Sequence, residues 1–294
     1  MELKLIDAHL HIWDINHLTY PWLSEVPEIN KSFDLESFRQ QTDGLKIQDS
    51  SLIQEPTNLH LEKMIFIQCE CLPTQYLDEV KYITKLATID DRIQGIIPWF
   101  PLDDAEAEQR LQKLIKNPLI KGIRRQEETP VSLFSNPIFI NNLDLLSKYN
   151  LTFDICAKNE LLTTAIKMVE KKPDINYMLD HMGKPDIKNK EINSWKNNIR
   201  LLAENPNVYC KVSGLVTEAD LQNWNLDRLR PYFDYALEQF GTDRLVFGGD
   251  WPVLNLASSY QEWINTVMIL CKGFSEEDLN KIFNENASRF YGLN

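Results

Sequence analysis

Eight short apolar segments recur along this chain, and between them lie stretches whose apolar residues stand three and four apart. After the opening "LKLIDAHLHIWD" (3–14) come "KMIFIQC" (63–69), "IQGIIPW" (93–99), "IKGIR" (120–124), "LTFDICA" (151–157), "INYMLDH" (175–181), "VYCKVSG" (208–214) and "RLVFGGD" (244–250). Intervening stretches such as "QYLDEVKYITKLA" and "LDRLRPYFDYALEQF" carry the stripe of an amphipathic helix. Strands that are apolar throughout need cover on both faces, and strands alternating with helices pair in parallel. Eight such units predict an α/β fold, a (β/α)8 TIM barrel, as one domain over residues 1–294. An open doubly wound sheet is the alternative, but no GxGxxG follows the first strand.

Two segments fall outside the repeat. Residues 13–60 hold turn formers and aromatics ahead of a brief helix-like "DLESFRQQT", and read as an insertion after strand one. Long loops at the C-terminal face of a barrel contribute to substrate sites, so this one is a candidate lid. "FSEEDLNKIFNENASRFYGL" reads as a C-terminal helical extension, with Ser275 as N-cap and Asp278 three residues on.

Composition excludes several function classes. A net charge of -12 argues against a nucleic-acid backbone as partner, and no apolar run is long enough to span a membrane. No basic region leads into an apolar one at the start, so a cytoplasmic protein is expected. The five cysteines are odd in number and scattered, which fits reduced thiols, and Cys69 and Cys71 read as buried structural residues.

In a barrel, the C-terminal strand ends carry the chemistry. Those ends supply His9 and His11, Arg124 and Arg125, His181, Lys211 and Asp250. His9 and His11 flank a single leucine, so in an extended strand they share a face, roughly 6.6 Å apart, and can converge on one ion or one oxygen. Arg124 and Arg125 are adjacent, so only one enters the site, and Arg124 is favoured. Its planar fork suits a carboxylate or hydroxyl group. Lys211 either binds a substrate oxygen or is a buried amine paired with a carboxylate. Trp13, Trp22 and Trp251 either wall the pocket for a sugar ring or are plain packing. His17 and His60 fall in the insertion and read as solvated loop positions.

The segments "DAHLHIWD" followed by "YPWL", then "GIRR", "LDHMGKP", "KVSGL" and "FGGDWPV" stand in this order at the ends of strands one, four, six, seven and eight. In this the chain resembles the amidohydrolase superfamily, in particular its lactonase branch, over nearly its whole length. The resemblance implies ring opening of a cyclic ester by water, with a small-molecule lactone as substrate. It departs from the binuclear members, which carry a bridging Lys or Glu at strand four and a His at strand five; here "GIRR" and "DICAKN" stand instead. A two-metal site is therefore not expected. His9, His11 and Asp250, with His181, are the candidate ligands of one divalent ion, zinc among the possibilities, or of none, since some members of the branch work without metal.

The expected mechanism makes Asp250 the general base, with His9, His11 and His181 polarising the carbonyl directly or through that ion. A neutral aldonolactone is the expected substrate, since the strand ends supply few cations for a dicarboxylate. The alternatives are a metal-dependent decarboxylase of the same superfamily and a non-catalytic binding barrel.

Overall fold

A computed structural model describes residues 2–45, 58–127 and 133–293. Eight parallel strands follow one another in chain order: β1 (Glu2–Leu10), β2 (Asn58–Ile67), β3 (Ile93–Ile97), β4 (Gly122–Glu127), β5 (Thr152–Ala157), β6 (Tyr177–Leu179), β7 (Val208–Val212) and β8 (Leu245–Phe247). β1–β3 form one ladder and β4–β8 another. Backbone hydrogen bonds cross both seams. Ile96 N–H donates to Leu119 O at 2.7 Å on one side, and Asp250 N–H donates to His9 O at 2.7 Å on the other. The last strand thus returns to the first, and the architecture is the (β/α)8 barrel.

The helices are α1 (Leu35–Thr42), α2 (Tyr76–Ala87), α3 (Ala107–Leu114), α4 (Pro137–Asn142), α5 (Asp144–Lys148), α6 (Leu162–Lys171), α7 (Asn193–Ala203), α8 (Leu226–Phe240), α9 (Tyr260–Leu270), α10 (Glu276–Asn280) and α11 (Asn286–Tyr291). Side-chain caps start several of them. Asp34, Asn225, Ser259 and Ser275 each accept from the N–H three residues on, a contact worth about 1 kcal/mol. No helix among the described residues is long and apolar enough to cross a membrane.

The start of β2 differs from the sequence reading. β2 begins at Asn58 rather than Lys63, so His60 sits exposed on a strand and not in the insertion. The alternating "NLHLEK" has the pattern of a half-exposed strand, which an apolar-run criterion passes over. Residues 46–57 of the expected insertion lie outside the described residues. The described part folds as two short 3-10 turns, Pro21–Glu25 and Pro27–Ile29, and α1. His17 is exposed there, its ring 5.3 Å from that of Tyr82.

A large apolar layer lies between strands and helices, and a separate cluster fills the barrel itself. Ile6, Ala8, Ile65, Ile97, Met178 and Val246 form that inner cluster, and Phe290, Tyr291 and Leu293 of the C-terminal extension close it from below. The extension is therefore part of the core. Its Tyr291 hydroxyl donates to Asp154 Oδ2 at 2.7 Å, while Asp154 Oδ1 has no hydrogen-bond partner among the described residues. Tyr291→Phe removes one acceptor contact from a fully buried carboxylate and is expected to lower unfolding stability by about 1–3 kcal/mol. Urea unfolding measures it; an unchanged midpoint would show that this bond contributes nothing.

Candidate active site

The two imidazoles of "DAHLHIWD" reach the barrel axis through an irregularity in β1. Ile6 and Ala8 point into the barrel, yet so do His9 and His11. The change of parity falls between Asp7 and Leu10, where pairing with β2 slips. Asp7 holds that slip: its Oδ1 accepts from His9 N–H at 2.9 Å and Gly249 N–H at 2.8 Å, and its Oδ2 from the Tyr260 hydroxyl at 2.8 Å. The result sets His9 Nε2 and His11 Nε2 3.2 Å apart, with His11 Nδ1 2.9 Å from Ile67 O. Two facing imidazole lone pairs repel, so a proton or a cation must lie between these nitrogens.

Asp250 and His181 sit in turns beyond the short β8 and β6. Asp250 Oδ1 stands 3.5 Å from His11 Nε2 and 3.7 Å from His9 Nε2, and its Oδ2 stands 4.0 Å from His181 Nδ1. His181 Nδ1 also meets Ser213 Oγ at 2.9 Å. Two glycines make room. A Cβ on Gly214 would lie 2.5 Å from His181 Nδ1, and one on Gly248 would lie 2.8 Å from His9 Cβ.

Beneath the imidazoles lies a buried charge network. Lys211 Nζ donates to Asp154 Oδ2 and Asp180 Oδ1, both at 2.8 Å, and stands 3.2 Å from His9 Nδ1. Arg124 Nε donates to Asp180 Oδ2 at 2.8 Å, and its two Nη groups reach Gln68 O and Cys156 Sγ. Of the two readings of Lys211 the structure gives the ion-paired buried amine, away from the cavity. Arg124 enters the site as expected and lines the cavity, with its fork bonded to protein partners. Arg125 faces the other way, 4.6 Å over the Trp99 ring and bonded to Asp103 at 2.8 Å.

Above the network opens a cavity of about 520 Å³, whose wall includes His11, Trp22, Glu70, Lys184, Glu218 and Asp250. The insertion thus contributes Trp22. Trp13 and Trp251 do not line the cavity and pack in the core, around Phe33 and Phe38. Their burial is set by non-local neighbours, which an aromatic in a loop sequence does not reveal. Cys69 and Cys71 line it too, and all five cysteines are free. Asp154, Asp180, Lys184 and Glu218 were not singled out from sequence, although "DICAKN" and "LDHMGKP" contain three of them.

His9, His11 and Asp250 fit a divalent ion. Tetrahedral ligands about 2.0–2.2 Å from zinc stand roughly 3.3–3.5 Å from one another, close to the spacings above. A second group, His9, Asp180 and His181, also lies within ligand reach. It is the poorer fit, because Asp180 is already bonded to two cations and the Lys211 ammonium stands beside His9 Nδ1. His181, expected among the four ligands, falls in the second group and not the first, with its Nδ1 on Ser213 Oγ.

Burial drives the His181 imidazole down to about 4 despite the pull of Asp250, and drives His9 well below its ordinary value despite Asp180. Burial penalises the Asp250 carboxylate, but the imidazoles of His181, His11 and His9 outweigh that and hold it well below the usual range. At neutral pH the site therefore pairs an ionised carboxylate with neutral His9 and His181.

This chain belongs to the amidohydrolase family, whose model matches residues 6–293. It is 26% identical over 295 residues to an L-fucono-1,5-lactonase of Burkholderia ambifaria, covering 98% of this chain and 95% of that one. An L-rhamnono-gamma-lactonase of Scheffersomyces stipitis is 23% identical over 351 residues, covering 99% of each. An amidohydrolase of Burkholderia multivorans, solved with bound zinc, is similar in structure with a TM-score of 0.85 at 25% identity, over 99% of this chain and 100% of that one.

Because its pKa is lowered, His181 keeps its neutral form as pH falls from 8 and takes a proton only near 4. An NMR titration of the ring should find that midpoint. A midpoint near 6.5, the ordinary histidine value, would show that burial does not govern this ring.

Proposed function

We propose that this protein hydrolyses a sugar lactone, with Asp250 as general base. The observation that carries the reading is an ionised, nearly buried carboxylate in the wall of a cavity, facing three imidazoles. The names of the relatives support the substrate class. Asp250 accepts a proton from a water, and the resulting hydroxide attacks the lactone carbonyl carbon. An imidazole N–H in the cavity wall, with His181 the candidate, meets the oxyanion that forms. As the ring C–O bond breaks, the Asp250 carboxyl returns its proton to the leaving alkoxide, giving a hydroxy acid. Acid–base catalysis of this kind contributes roughly 10²–10⁴ in rate, and one oxyanion donor on the order of 10²–10³.

An ion such as zinc held by His9, His11 and Asp250 would supply Lewis-acid polarisation of the carbonyl. The two candidate metal groups share His9, so they compete for one residue. Elemental analysis is expected to find no more than one equivalent per chain; two equivalents with activity following both would overturn this reading.

The cavity favours a neutral substrate. Glu70, Glu218 and Asp250 face it, against Arg124 and Lys184, and Arg124 is already paired with Asp180. A dicarboxylate would meet more like charge than unlike.

The test is acid release from aldonolactones and from aromatic-derived dicarboxylate lactones, followed with a pH indicator, for the wild type and Asp250→Asn. Aldonolactones should turn over faster, and Asp250→Asn should fold yet lose at least about 100-fold in kcat. Undiminished turnover by the variant removes Asp250 from the base role. Loss of CO2 from a carboxylated aromatic, with no lactone opened, makes the protein a decarboxylase instead.

A further inference from the structure

The segment after β6 has a backbone that its sequence does not favour. His181, Met182, Gly183 and Lys184 take φ values of 51°, 52°, 71° and 45°, a left-handed turn in which only one residue is glycine. The surroundings enforce it. Lys184 N–H donates to His181 O at 2.9 Å, the Trp195 indole N–H donates to Met182 O at 2.7 Å, and a Cβ on Gly183 would lie 2.7 Å from Leu162 Cδ1. Strain of this kind persists where the conformation has a use. Here it brings the side chains of both His181 and Lys184 to the wall of one cavity.

Glu218 reaches the same wall from the loop after β7. Lys188 N–H donates to Glu218 O at 3.1 Å, and Glu218 N–H to Gly214 O at 3.3 Å, so the two loops are tied together. The Lys184 ammonium and the Glu218 carboxylate feel each other's charge. Yet neither side chain makes a hydrogen bond, or an ion pair within 4.0 Å, among the described residues. The two cations below them differ in this respect, since Arg124 and Lys211 are each bonded to several partners.

A donor and an acceptor left open on one cavity wall fit a particular chemistry. A hydroxyl accepts from an ammonium and donates to a carboxylate, so one hydroxyl or a neighbouring pair satisfies both. A ligand carboxylate would satisfy Lys184 alone and meet like charge at Glu218. We propose that Lys184 and Glu218 are the specificity-determining pair of this enzyme, reading the ring hydroxyls of a polyhydroxylated lactone. The proposal rests on the lactonase reading above and names its substrate selector.

The test compares Lys184→Met and Glu218→Gln with the wild type on a hydroxylated aldonolactone and on an unsubstituted lactone of the same ring size. Each variant should lower the ratio of the two kcat/KM values at least about 10-fold, chiefly through KM for the hydroxylated ring. A general structural lesion would lower both substrates alike and leave the ratio unchanged, which would overturn the proposal. A second measurement needs no turnover. Calorimetric titration with the hydroxylated lactam of the same ring should show binding by the wild type and Kd weakened at least about 10-fold in both variants. Equal Kd values, or no lactam binding by the wild type, overturn the pairing whatever the hydrolysis assay shows. Wild-type turnover of the panel separately decides the lactonase reading. Lys184→Asn, which tolerates a positive φ, serves if Lys184→Met fails to fold.

Discussion

Four buried charges at the barrel axis carry much of this site's organisation. Arg124 comes from β4, Asp154 from β5, Asp180 from the end of β6 and Lys211 from β7, and Tyr291 of the C-terminal extension joins them from below. Taking such groups out of water costs several kcal/mol per ion, so the arrangement persists only where geometry and hydrogen bonding are good. Lys211 meets that condition, donating to both Asp154 and Asp180. Because its ammonium also stands 3.2 Å from His9 Nδ1, the network packs directly beneath the ring that faces His11 and Asp250. The closure of the barrel floor and the aim of the first imidazole are thus a single piece of structure.

The rim above is built differently, by backbone conformations that side chains resist. Glu70, His181, Lys184 and Asp250 all line the cavity and all have positive φ. Each such residue costs of order 1–3 kcal/mol, and the apolar layer behind them offsets it. Sharp turns immediately after short strands let a carboxylate and an imidazole point back over the barrel mouth. Gly214 and Gly248 supply the clearance, since any Cβ there would collide with the histidines.

This division explains what could be read from sequence. The barrel was legible because its signal repeats eight times, and the HxH pair because period-two spacing is local. Arg124 entering while Arg125 leaves also follows from strand alternation. What Arg124 does once inside is not local, because its partner Asp180 lies 56 residues away. Neither the paired fate of Lys211 nor the core placement of Trp13 and Trp251 can be read from neighbours in sequence. Lys184 stayed hidden for a different reason: "HMGK" gives no cue for four left-handed residues in succession, as only its glycine favours that region.

Floor and wall then do separate work. The floor's charges are committed to one another, so they hold His9 but have little left to offer a ligand. On the wall, Lys184 and Glu218 are uncommitted among the described residues, and they come from the turns after β6 and β7. In this chain the open groups are an ammonium and a carboxylate on one cavity wall, a combination suited to hydroxyls and poorly suited to a second negative charge. A net charge of -12 adds to that penalty for any anionic ligand approaching from solution.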